Sequence, residues 1–200
     1  MDRSELKLKA KERLNGKYKD AILVLLIPSL ISFGLGFIEG FLGLGLIGDI
    51  LSIVVSALIG FGTVSYYLKV SRNDSVDYKE IFSKTDMFLS YIGITLLVGL
   101  FIILWGLLFI IPGIIAALNY SLVYYIKLDN PELGVMEVLN KSKQMINGHR
   151  WEYLVLGLSF IGWAILGVFT LGILYFWLIP YMEVTYANFY NSLKENKTTV

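Results

Sequence analysis

Hydrophobic and polar positions in this chain separate into long blocks rather than alternating at short period. Residues 21–38 and 50–68 are almost wholly apolar, residues 88–126 carry no charge, and residues 153–193 carry one, Glu183. A spanning helix needs about 20 apolar residues. As one helix, the third block would be about 58 Å long, about twice the hydrocarbon thickness of a bilayer. It must therefore fold back, and Ile111-Pro112-Gly113 supplies the reversal, because proline lacks a backbone N–H and glycine permits a turn. The fourth block reverses at Thr170-Leu171-Gly172, with Pro180 kinking the returning helix. The pattern predicts an all-α integral membrane protein with six transmembrane helices arranged as three hairpins. The spans fall near 20–38, 50–68, 88–110, 113–127, 153–170 and 173–193.

Charge placement gives this threading a direction. All 17 Lys and Arg residues lie between Arg3 and Lys19, between Lys69 and Lys84, between Lys127 and Arg150, or at Lys194 and Lys197. Cationic loops stay on the cytoplasmic side of a membrane, so both termini and the loops at 69–87 and 127–151 are expected there. The opposite turns hold no Lys or Arg, and their only acids are Glu39 and Asp49. Tyr18, Tyr66, Tyr67, Tyr91, Tyr124, Tyr125, Trp151, Tyr153 and Tyr190 fall near the cytoplasmic helix ends, as an interfacial belt should. Trp105 and Trp177 fall toward the outer ends.

Two of the polar stretches have helical periodicity. Residues 3–15 place Leu6, Ala10 and Leu14 on one face behind an Asp2…Glu5 capping-box spacing. Residues 131–147 follow Asn130-Pro131, an N-cap and a first-turn proline, with Leu133, Met136, Leu139 and Ile146 on the apolar face. Such amphipathic helices lie in the cytoplasmic headgroup layer and draw on anionic lipid. Lys11, Lys17, Lys141, Lys143, His149 and Arg150 are the expected headgroup contacts. An internal repeat also emerges: residues 10–26 (AKERLNGKYKDAILVLL) align in register with 142–158 (SKQMINGHRWEYLVLGL). Both carry Asn-Gly where a helix C-cap belongs. The third hairpin entrance, residues 78–89, follows more loosely, so an interfacial helix plus a hairpin would be used three times.

Composition agrees with a membrane protein: hydrophobic residues make up 56% of the 200, charged residues 16%, and mean hydropathy is +0.67. A soluble domain carries more charge than this. There is no cysteine, which excludes disulfides, thiolate metal sites and a cysteine nucleophile. The N-terminal stretch is too charged and too long before its first apolar run to read as a cleavable signal peptide.

Residues 107–126 (LLFIIPGIIAALNYSLVYYI), 129–151 (DNPELGVMEVLNKSKQMINGHRW) and 158–190 (LSFIGWAILGVFTLGILYFWLIPYMEVTYANFY) resemble a bacterial integral membrane family, domain of unknown function 975, found mainly in Gram-positive bacteria. The elements that carry the likeness are Ile111-Pro112-Gly113, Ser142 through His149, Phe160-Ile161-Gly162-Trp163, Thr170-Leu171-Gly172, Pro180-Tyr181 and Phe189-Tyr190. More remotely, the Ile-Pro-Gly turn and its following helix look like the membrane domain of some glycerophosphodiester phosphodiesterases. The resemblance implies a bacterial plasma-membrane protein and brings no catalytic residues with it.

Candidate chemistry is sparse. Glu183 is the one charge inside a span, where an ionisable group is costly and points to proton or cation coupling or to a structural polar contact. Asn119 on the fourth span is its expected partner. Glu39 and Asp49 read as solvated or helix-capping acids, and the lone His149 cannot build a metal site. Gly48, Ser52, Ser56 and Gly60 recur every four residues, as do Gly113, Ala117 and Ser121, the spacing of a helix-packing seam in lipid. No catalytic pair or phosphate loop is present, so no enzyme activity, cofactor or metal is expected, and nothing points to nucleic acid. The favoured reading is a non-enzymatic membrane accessory that binds lipid or a partner membrane protein, or self-associates, in envelope maintenance or protection against membrane-active peptides. The alternative is a small transporter or channel using Glu183.

Overall fold

The computed structural model describes residues 2–43 and 45–198. Leu44, inside the glycine-rich first turn, and the side chain of Lys197 lie outside the described residues. Every regular element among the described residues is helical: α1 (Arg3–Leu14), α2 (Tyr18–Leu42), α3 (Leu46–Ser71), α4 (Phe88–Leu108), α5 (Ile110–Asn119), α6 (Val123–Asp129), α7 (Val135–Ile146), α8 (Arg150–Leu158), α9 (Ile161–Phe169) and α10 (Tyr175–Thr198), with two 3-10 turns at Tyr78–Phe82 and Thr85–Met87. Five stretches are long and apolar enough to cross a membrane: Tyr18–Leu42, Leu46–Ser71, Tyr78–Leu107, Ile110–Asp129 and Arg150–Phe169. The sixth expected span, on α10, is not among them; it is less apolar, carrying Glu183, Thr185, Asn188 and Asn191 along its length. Large apolar side chains cover the outside, among them the row Phe33, Phe37 and Phe41 on α2 and Leu171, which is 93% exposed. Water would not tolerate such a surface, whereas acyl chains solvate it. The chain is a multi-pass membrane protein.

Two spans expected to be continuous are broken. α5 and α6 are separated at residues 120–122, and α8 and α9 at 159–160. Neither break contains proline or glycine, so local sequence does not announce it. A side chain from elsewhere closes each one. At the first, Ser142 Oγ of α7 donates to Asn119 O at 2.7 Å and accepts from Leu122 N at 3.3 Å. At the second, Lys7 Nζ of α1 donates to Ser159 O at 3.2 Å and lies 4.1 Å from the centroid of the Phe160 ring. These partners restore the hydrogen bonds that an interrupted helix leaves orphaned. Ser142→Ala should cost about 1–3 kcal/mol, the penalty for stranding a buried acceptor. An unfolding midpoint in detergent equal to that of the parent protein would refute this role.

The amphipathic helices differ from expectation in what they bury. Leu6, Ala10 and Leu14 of α1 are buried, and Asn188 Nδ2 of α10 donates to Leu6 O at 3.3 Å. Val138, Leu139, Ser142, Met145 and Ile146 of α7 are buried, whereas Met136 is half-exposed. Both apolar faces are therefore spent on the bundle. α7 also starts later than expected: Asn130 caps the end of α6, and the helix begins after Gly134, whose N–H donates to Glu137 Oε2 at 2.7 Å. On α1, Asp2 Oδ1 accepts from Ser4 N at 2.9 Å as an N-cap should, but Glu5 pairs with Lys9 rather than completing a box. The loose third copy at 78–89 is not an amphipathic helix but the pair of 3-10 turns. The two Asn-Gly closures do match: Asn15 and Asn147 have nearly the same backbone angles (φ -59°, ψ 125° and φ -61°, ψ 132°), and Gly16 and Gly148 take positive φ of 76° and 84°.

The second hairpin turns one step earlier than expected, at the extended residue Phe109. Pro112 then lies in the first turn of α5, where a missing N–H costs nothing. Gly113 has a different task from turning: a Cβ there would sit 2.9 Å from Gly106 Cα, so α4 and α5 touch backbone to backbone. The third hairpin turns at Thr170-Leu171-Gly172, as its sequence indicates.

Candidate functional site

At the charged end of the bundle, Asp129 ties three helices together. It accepts from both terminal nitrogens of Arg72 (2.8 and 2.6 Å), from Lys194 Nζ (2.8 Å) and from Tyr190 Oη (2.9 Å). Burial acts to lower the Arg72 pKa, but the hydrogen bonds to Asp129 and that carboxylate's charge outweigh it and hold the group above its ordinary value. Glu80 is equally satisfied, accepting from Ser65 Oγ (2.6 Å), Ser83 Oγ (2.7 Å) and Lys69 Nζ (2.9 Å).

Glu183 is the contrast. It lies one turn beyond Pro180 on α10, faces α2 and α3, and has neither a hydrogen bond nor an ion pair among the described residues. Its oxygens are not sealed in, because it lines a cavity of about 330 Å³ between α2, α3, α4 and α10. The other polar lining residues are Ser29, Ser32, Ser56, Thr63, Tyr67 and Tyr91. Ser29 Oγ donates to Leu25 O (2.8 Å), Thr63 Oγ1 to Ile59 O (3.1 Å) and Tyr67 Oη to Ala21 O (3.2 Å). With their hydrogens committed, these three hydroxyls offer only lone pairs. Pro28, also in the lining, has no N–H for the Val24 carbonyl, the neighbour one turn back. The cavity therefore presents oxygen acceptors around one carboxylate, and no cationic side chain lines it among the described residues.

Asn119 is not part of this site. Its Oδ1 accepts from Arg150 Nε at 2.7 Å, and its carbonyl is the one held by Ser142. The expected Glu183–Asn119 pairing is thus not formed: α7 and the start of α8 bring their own donors to Asn119. Among the expected headgroup contacts, Lys17 Nζ donates to Asp74 O (2.9 Å), Lys141 Nζ to Asn130 Oδ1 (2.9 Å), and His149 Nδ1 lies 3.0 Å from Glu152 Oε2. With Arg150 on Asn119, four of the six make contacts within the protein. Lys11 and Lys143 are exposed.

The small-residue stripes divide in the same way. Gly48 faces the Glu39 side chain, Gly60 lies under the Tyr91 ring, and Gly113 meets Gly106, all close contacts. Ser52 and Ser56 instead line open space: a groove of about 370 Å³ between α3 and α4 contains both, and Ser56 and Tyr91 are shared with the Glu183 cavity. On α5 the buried position after Gly113 is Ala116, while Ala117 is exposed and Ser121 Oγ turns to Leu118 O (2.9 Å). Sequence reasoning did not single out Ser29, Ser32, Thr63, Tyr67 or Tyr91 as lining. The legible hint was Pro28 followed by serines at 29 and 32 on an otherwise apolar helix.

These features define a class: an all-helical, multi-pass membrane protein whose bundle holds an unpaired carboxylate in an oxygen-lined cavity. The chain belongs to the protein family of unknown function DUF975, whose profile matches residues 1–117 and 107–197. No curated protein and no solved structure matches it, and the remoter likeness to phosphodiesterase membrane domains is not supported.

Proposed function

We propose that the protein is a non-enzymatic membrane carrier that binds a small monovalent cation, an alkali ion or a protonated amine, at Glu183. The observation that carries this reading is a carboxylate without a protein partner facing a cavity of oxygen acceptors. One carboxylate balances one positive charge, and neutral oxygens complete the shell that hard cations favour. The Tyr67 and Tyr91 rings add faces that attract an ammonium group. Broken and proline-interrupted helices recur around intramembrane binding sites, where freed backbone groups serve as ligands. A lipid-binding accessory has less support, because the apolar faces of α1 and α7 and most of the expected headgroup cations are engaged within the protein. The lysine- and arginine-rich end, with both termini, faces the cytoplasm of a bacterial plasma membrane.

The test is the melting temperature of the purified protein in nanodiscs, titrated with sodium, potassium or methylammonium at constant ionic strength. A ligand that binds only the folded state raises the melting temperature with its concentration. At least one of the three should do so, and Glu183→Gln should weaken the effect tenfold or more, about 1.4 kcal/mol. Equal responses from parent and variant, or none from either, would remove the site.

A further inference from the structure

Two contacts limit how deep the second and third hairpins reach. Arg150 is bonded to Asn119, the last residue of the ten-residue α5, whose other end is the turn at Phe109. Only about 15 Å of helix rise separates that guanidinium from the hairpin tip. Lys7 is bonded to Ser159, and the nine residues of α9 separate it from the turn at Leu171 and Gly172. That is again about 14 Å of rise. A hydrocarbon core is about 30 Å thick. Were either tip to reach the far face, Arg150 or Lys7 would sit near the bilayer centre, where a charge is most expensive.

Three further observations agree. α7 docks on the same Asn119 carbonyl, and its outer face of Glu137, Asn140, Lys141, Lys143 and Gln144 is exposed, a surface that cannot border acyl chains. The tips themselves are apolar and bare: Phe109, Ile110 and Ile111 at one, Phe169 and Leu171 at the other. In the third turn the polar atoms are consumed internally, Thr170 Oγ1 donating to Gly167 O and accepting from Leu174 N, as lipid requires. The first hairpin is unlike these two. Its turn region carries Glu39 and Asp49, and the charge-free residues 21–38 span about 27 Å.

We propose that the α4–α5 and α9–α10 hairpins are half-membrane wedges that enter from the charged side and turn near the bilayer midplane. Their partner is the acyl-chain layer of that one leaflet. The α2–α3 hairpin crosses fully, so the chain makes two crossings and two re-entrant insertions in place of six crossings. This placement is independent of what Glu183 binds.

The absence of cysteine gives a direct test on the full-length protein, using single variants Leu46→Cys, Asn140→Cys, Phe109→Cys and Leu171→Cys. With an impermeant maleimide, Leu46→Cys should label on intact cells and Asn140→Cys only after the membrane is opened. Phe109→Cys and Leu171→Cys should label in neither condition but should label in denaturing detergent. Spin labels at 109 and 171 in bilayers should collide freely with oxygen and rarely with a water-soluble nickel chelate, which gives the wedge a positive signature. Labelling of either tip from outside intact cells, or nickel accessibility there, would overturn the wedges and restore full crossings. Failure of Leu46→Cys to label outside would overturn the crossing of the first hairpin.

Discussion

Gly62→Ala is expected to destabilise the protein by about 3 kcal/mol or more, the upper end of what overpacking costs. Gly62 is buried in the C-terminal half of α3, and a Cβ there would overlap the carbonyl group and Cα of Ile81. The obstacle is backbone, so no rotamer change relieves it. The 3-10 turn Tyr78–Phe82 would have to withdraw, and it is held at both faces. Asp77 Oδ1 caps Lys79 N at 2.9 Å, and Glu80 is tied to Ser65, Lys69 and Ser83. Gly99 is the control, because a Cβ there meets nothing within 4 Å. Gly99→Ala should be neutral or stabilising by up to about 1 kcal/mol, since glycine is a poor helix former. Similar unfolding midpoints for the two variants would contradict this account of Gly62.

Asp129→Ala should cost about 2–4 kcal/mol. The carboxylate is 10% exposed and holds Arg72, Lys194 and Tyr190, so its loss strands a guanidinium between α3 and α10. The figure lies below that for breaking a sealed ion pair, because the Arg72 and Lys194 side chains are 32% and 55% exposed and water recovers part of the loss. Arg72→Ala combined with Asp129→Ala should cost less than the sum of the single variants, since the second removal relieves the stranded charge. Strict additivity in a double-mutant cycle would show that the two groups act separately.

Much of the helical content was legible because lipid imposes strong demands on sequence. The uninterrupted apolar blocks of α2 and α3, the reversal near Pro112 and the turn at Thr170-Leu171-Gly172 all follow from length, charge and backbone chemistry. The Asn-Gly closures of α1 and α7 were legible for the same kind of reason, since each needs a left-handed glycine. The breaks at 120–122 and 159–160 were not. Tyr-Ser-Leu and Ser-Phe are acceptable helix sequences, and the chain departs from helix there because Ser142 and Lys7 arrive to take over the hydrogen bonding.

The candidate site divides along the same line. Glu183 stood out as a charge in an apolar block, but Asn119 as its partner was an inference from polarity alone. Asn119 was claimed by Arg150 and Ser142, which are distant in sequence from α10. Likewise the serines at 52 and 56 have the spacing of a packing seam, yet spacing cannot tell a seam from the wall of a cavity. That depends on whether a neighbouring helix presents bulk opposite them: Tyr91 fills the space over Gly60 and leaves Ser56 open.

What the sequence by itself determined is that this chain is helical, lives in a membrane and confines its cations to four short stretches between apolar blocks. Block length and charge act directly through the solvent, whichever helix packs where. Only the tertiary structure decided which polar groups find partners. A hydrogen bond forms across about 3 Å, and the pairs that matter here join residues far apart in the chain. Ser142 reaches Asn119, Lys7 reaches Ser159, and Arg72 reaches Asp129. Asp129 and Glu80 meet donors, whereas Glu183 faces a cavity and has no donor among the described residues.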